Sequence, residues 1–86
     1  MPVNTRSSRQ QVRFFHPFSL PGRPEILPAG HYEIFVEEER LEGLSFDAYR
    51  RTSSHILIAL KAGVEEMWPI SEAELEAALL RDKQQA

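Results

Sequence analysis

Glu37, Glu38 and Glu39 stand in an unbroken row, followed by Glu42, Asp47, Arg50 and Arg51. Five acids within residues 37–47 could bind a divalent cation or supply a general base. A calcium site needs about six to eight oxygens converging on one point. Consecutive residues of a strand point to opposite faces, so Glu38 cannot easily converge with Glu37 and Glu39. EF-hand spacing is absent. Folding the chain about Gly43 places Glu37 near Arg51 and Glu38 near Arg50. Cross-strand opposite charges contribute roughly 0.2–1 kcal/mol each. The row therefore reads as a charged hairpin end built from Glu37, Glu38, Gly43, Arg50 and Arg51.

The histidines offer a second chemistry. His16, His31 and His55 match no zinc-ligand spacing. A metal or hydrolytic site would need His31 and His55 to meet across paired strands, with Glu33 as a third group. Ser53, Ser54 and His55 are adjacent in sequence. Neighbours on a strand face opposite ways, so they form no triad by adjacency. G-x-S-x-G, P-loop and G-x-G-x-x-G motifs are absent. No catalytic residue, metal site or cofactor is expected.

These residues must be positioned by short elements. Residues 10–18, QQVRFFHPF, alternate with Val12, Phe14 and His16 on one face and Arg13 and Phe15 on the other. They read as a strand that Pro17 ends. SLPGRPEILPAG is a loop with turns at Pro21-Gly22 and Pro28-Ala29-Gly30, with Leu20, Ile26 and Leu27 tucked inward. HYEIFVEEE alternates clearly, with Tyr32, Ile34 and Val36 facing a core. Ser45 is placed to cap one helical turn through Tyr49. Residues 52–60 and 65–70 read as two further strands, joined through Lys61-Ala62-Gly63. Ser71 and Glu74 form a capping box. Behind it, Ala73, Leu75, Ala78 and Leu79, with Ala77 and Leu80 flanking, mark a helix.

The expected fold is α+β: a twisted antiparallel meander of about four strands, open or curled like a barrel, with one C-terminal helix. Residues 1–9 are polar and read as a disordered arm, 10–83 as a single domain and 84–86 as a tail. With 86 residues the chain makes one small domain. A small core argues against deep enclosed pockets. There is no cysteine, so no disulfide and no thiolate chemistry. No apolar run approaches the roughly 20 residues of a membrane span. The N-terminus reads without a signal-peptide stretch, and a cytoplasmic protein is expected.

The net charge of −3 is distributed in blocks. Residues 1–24 carry four arginines and no acid, whereas residues 25–47 carry seven acids and Arg40 as the single base. Such blocks suggest internal pairing rather than a basic field for nucleic acid. A nucleic-acid surface would draw on Arg6, Arg9, Arg13 and Phe15, with Tyr49 beside Arg50 and Arg51. Phe15 and Phe35 fall on outward strand faces and Trp68 on a short strand before Pro69. Such aromatics mark either an interface or a second small core under the loop.

LPAGHYEIFVEEERLEGLSFDAYRR, residues 27–51, resembles the core of a family of short alphaproteobacterial proteins without an assigned function. The shared pattern is L-P-A-G, a tyrosine two residues on, an acidic run, then G-L-S-F-x-A-Y-R-R. A weaker match covers residues 14–22. Asp47 stands where that pattern has proline. The resemblance implies no activity and assigns no functional residue.

The expectation is a non-enzymatic binding domain for a protein partner or a second copy. Its partner-facing candidates are Phe15, Phe35, Trp68, Tyr49, Arg50 and Arg51. The rival readings are a weak nucleic-acid or regulatory module and a small metal or hydrolytic protein.

Overall fold

A computed structural model describes residues 5–41 and 48–85. Four strands and a helix follow in order: β1 (Thr5–Phe14), β2 (Gly30–Leu41), β3 (Ala48–Lys61), β4 (Val64–Pro69) and α1 (Glu72–Gln84). The sheet order is β1-β2-β3-β4, with every neighbouring pair antiparallel. This is the α+β meander with a C-terminal helix that the alternation predicts. The sheet stays open and does not close into a barrel.

Alternation selects the core. Ile34 and Val36 of β2, Ile56 and Ile58 of β3, and Trp68 of β4 are buried on one face. Leu75 and Ala78 of α1 pack against them, with Leu79 partly buried. The third wall is the loop between β1 and β2. Phe18 and Leu27 exchange both backbone hydrogen bonds, at 2.9 and 2.7 Å, and close that loop with a single antiparallel bridge. Leu20 turns to Arg23 through Pro21-Gly22, with the Arg23 N–H donating to the Leu20 carbonyl at 3.2 Å. Gly22 has φ +78°, which a proline-glycine turn of this kind requires at its third residue. Leu20 and Leu27 are buried as expected, but Ile26 is 70% exposed. The bridge fixes the direction of Leu27, so its neighbour points outward.

Several boundaries differ from the sequence reading; β1, for one, ends at Phe14, before Pro17. Strand β1 begins at Thr5, so residues 5–9 are strand rather than arm. Every residue from Thr5 to Phe14 has a β2 partner, and Arg6 and Arg9 lie beside Glu38 and Glu33. Backbone pairing and charge hold a segment that has nothing apolar to bury. Strand β3 begins at Ala48, so Tyr49 is strand and not the end of a helical turn. Ser45 and the turn at Gly43 lie outside the described residues. Helix α1 runs on to Gln84, with Gln85 as its C-cap, one residue into the expected tail.

The helix starts where the capping box places it. Ser71 Oγ accepts the Glu74 N–H at 3.0 Å, and Glu74 Oε1 accepts the Ser71 N–H at 2.9 Å. Ser71→Ala is expected to cost about 0.5–2 kcal/mol, measured by urea unfolding; an unchanged midpoint would mean the cap is energetically idle. The buried stripe is narrower than predicted. Leu75, Ala78 and Asp82 are buried, while Ala73, Ala77 and Leu80 are exposed.

Candidate functional site

Strand register divides the acidic row. Glu38 pairs with Arg51 and Glu39 with Arg50, one position away from the expected pairing of Glu37 with Arg51 and Glu38 with Arg50. The offset is already present at Leu41 and Ala48, on the turn side, and a bulge between Glu37 and Glu38 adds a second, setting Glu37 opposite Ser53. Thr52 is the extra residue, and its hydroxyl donates to the Glu37 carbonyl at 3.2 Å. A bulge of this kind leaves no mark in composition.

The side chains then choose other partners. Arg6 Nε reaches Glu38 Oε1 at 2.9 Å, and Arg50 reaches Glu39 at 3.4 Å. Arg51 turns to the helix and lies 3.9 Å from Glu72. Among the described residues, no group of three or more histidine or acidic side chains could hold a metal ion.

The histidines are held apart. His31 is opposite Arg13 on β1, and Glu33 lies 3.8 Å from Arg9. His55 is opposite Phe35, four positions along β2 from His31. At about 3.4 Å per residue that separation exceeds 10 Å. Ser54 is buried, and its hydroxyl donates to the Ile70 carbonyl. His55, next along the strand, faces the other way. The grouping of His31, His55 and Glu33 that the rival metal or hydrolytic reading requires is therefore not assembled.

The aromatic candidates separate into three kinds. Trp68 is a core residue, 2% exposed, so it offers no surface to a partner. Its N–H donates to Glu66 at 2.9 Å, and the Arg23 guanidinium from the loop lies 4.1 Å from the ring centre. Phe15 follows the end of β1 and is 63% exposed beneath Arg13. Phe35 lies half-buried on the uncovered sheet face under Arg9, and Tyr49 carries Arg6 at 3.7 Å. Phe15, Phe35 and Tyr49 each already hold a guanidinium on one face.

Asp82 escaped the sequence reading. It is buried, and it accepts the Phe15 and His16 N–H groups at 2.9 Å each, with His16 Nδ1 3.0 Å away. The Phe15 N–H above all holds its carboxyl below the usual carboxylate range; burial opposes this, and the His16 ring and N–H reinforce it. The signal was available: Leu75, Ala78 and Asp82 share one helical stripe at i, i+3 and i+7.

The feature that can do something lies beside Arg51. Strand β3 has 14 residues and β4 only 6, paired with residues 55–61. Pro69 has no N–H to continue the ladder. The Ile70 N–H makes a last bond to the Ser54 carbonyl at 3.1 Å, and the chain then enters α1. Among the described residues, no strand pairs with the outer edge of residues 48–53. A groove of about 570 Å³ begins at Arg51 on this edge and continues to His55. Arg51, Thr52 and Ser53 line one side, and Pro69, Ser71 and Glu72 the other. Tyr49 and Arg50 are exposed along the same stretch.

The fold and this site define a class: a small α+β domain with an open antiparallel sheet and a strand edge facing a groove. No protein-family model, curated protein or solved structure matches the chain. No helix among the described residues is long and apolar enough to cross a membrane.

Proposed function

We propose that this chain is a small non-enzymatic interaction domain that captures an extended segment of a partner protein along the outer edge of β3. One observation carries the reading: β3 outruns β4, so among the described residues no strand pairs with the outer edge of residues 48–53, and residues 51–53 of it line a groove. Alternate residues of such an edge turn N–H and C=O groups outward, ready to pair with a further strand. Main-chain hydrogen bonds supply affinity in this mode, and the groove beside the strand supplies selectivity.

A second copy suits this edge less well. Antiparallel pairing of residues 48–53 with themselves about a two-fold axis sets Arg50, or in the alternative register Arg51, against its own copy in the neighbour. Like charges placed opposite each other are destabilising.

The test uses the isotope-labelled chain and two capped eight-residue peptides. One carries a Glu-Glu pair among valines and threonines, and the other carries glutamines in place of the glutamates. Shifts confined to amides of residues 48–54 and 70–72 are expected with at least one peptide, and light scattering is expected to show a monomer. Shifts along β1 or the outer edge of β4, no shift at all, or a dimer formed through β3 would sink the reading.

A further inference from the structure

We infer that the segment accepted along β3 carries two consecutive acidic residues, and that Glu72 is the internal competitor they displace from Arg51. This rests on the strand-capture reading and specifies the chemistry of its ligand.

Arg51 carries the argument. Its side chain is only 26% exposed, so most of its length is committed to the groove wall. Its guanidinium has five donors arranged to grip a carboxylate through two parallel bonds. The nearest acid, Glu72, is 3.9 Å away and 61% exposed. That separation lies beyond hydrogen-bond range. Glu38, the residue directly across the ladder, would be the natural partner, but Arg6 takes it at 2.9 Å. Arg51 is thus held in place and weakly engaged.

Arg50 completes the pattern. Consecutive strand residues face opposite ways, so Arg51 points to the helix side and Arg50 to the uncovered face. Strand β2 answers this alternation on the inner side with Glu38 opposite Arg51 and Glu39 opposite Arg50. A strand added on the outer side meets the same two arginines from the other direction. Two successive acids would therefore place one carboxylate on each face, repeating the Glu38-Glu39 pair. Arg50, with a side chain 64% exposed and a 3.4 Å contact to Glu39, has room for a second carboxylate.

Glu72 gives the inference its specific signature. A carboxylate bound to Arg51 must displace Glu72 and then lie close to it. Removing the Glu72 charge therefore strengthens binding, whereas removing Arg51 weakens it. The experiment compares the two peptides on the parent chain, Arg51→Gln and Glu72→Gln, by amide-shift titration at low salt. The glutamate peptide is expected to bind about tenfold more tightly than its glutamine counterpart on the parent chain, the advantage of a charge-assisted bond over a neutral one. Arg51→Gln is expected to remove most of that preference and Glu72→Gln to widen it. The preference is expected to shrink as salt is raised, as for any part-exposed charge pair.

Equal binding of both peptides at residues 48–54 would overturn the acidic specificity and leave strand capture standing. No binding of either peptide would overturn both. A preference unchanged in Glu72→Gln would remove Glu72 as competitor. Glu72 is exposed at the start of the helix, so this variant keeps the question answerable even if Arg51→Gln folds poorly.

Discussion

Asp82→Asn is expected to lower the thermal midpoint at neutral pH by several degrees and to remove the acid limb of the stability profile. Asp82 is a buried acid in the last turn of α1. That is the negative end of the helix dipole, where a carboxylate is disfavoured. It is tolerated there because both oxygens are occupied: Oδ2 by the Phe15 N–H, Oδ1 by the His16 N–H and ring. The contact joins the end of the chain to the end of β1, across 67 residues of sequence. Asparagine keeps the size but offers one oxygen and presents an NH2 where an acceptor is needed. Its neighbour N–H groups would then be left partly unsatisfied.

The direction of the pH dependence follows from the folded carboxyl lying below its ordinary value of about 3.9. Such a group stabilises the fold in full above the unfolded value. The contribution is lost as pH falls through the depressed folded value. Thermal melts from neutral pH down to strong acid would therefore show a fall that Asp82→Asn lacks. Identical midpoints for the two chains at neutral pH would show that the latch does not bear on stability.

What could be read from the sequence follows from where the information sits. The strands β2 and β3 were legible because Ile34 and Val36, then Ile56 and Ile58, repeat at the strand period. The helix was legible because its capping box is local. The first half of β1 was not, since residues 5–11 bury nothing and owe their place to pairing with β2. Trp68 stayed between an interface and a core under the loop because its lid, Arg23, comes from 45 residues earlier in the chain. The arginine pair does lie opposite the glutamate row, but one position along from the expected pairing, an offset already set at Leu41 and Ala48, and Arg6 then takes Glu38. The bare edge of β3 depends on where β4 stops. The sequence reading runs that strand through Pro69 to Ile70, and only the register shows the stop at Pro69 and the unpaired stretch at residues 48–53.

Phe14→Ala is expected to cost about 3–5 kcal/mol, the range for truncating a buried phenylalanine. Small domains have total stabilities near the low end of about 5–15 kcal/mol, so this one change should leave the chain close to unfolding. Phe14 is 1% exposed and stacks on Phe18 with ring centres 3.7 Å apart and planes 8° from parallel. Tyr32 meets both rings edge-on, at 5.9 and 5.1 Å. Its hydroxyl donates to the Pro28 carbonyl at 2.5 Å, and burial pushes its phenol up from the ordinary value. The cluster therefore ties β1, β2 and both halves of the intervening loop to one point. Losing the central ring opens a cavity that the Phe18–Leu27 bridge would resist closing, because the bridge fixes the loop's width. Phe15→Ala, one residue on, removes a ring that is 63% exposed and should stay within about 0.5 kcal/mol of the parent chain. Urea unfolding followed through Trp68 fluorescence measures both. Comparable losses in the two variants would mean that the end of β1 is not held in the orientation described here, and the Asp82 contact to the Phe15 N–H would fall with it.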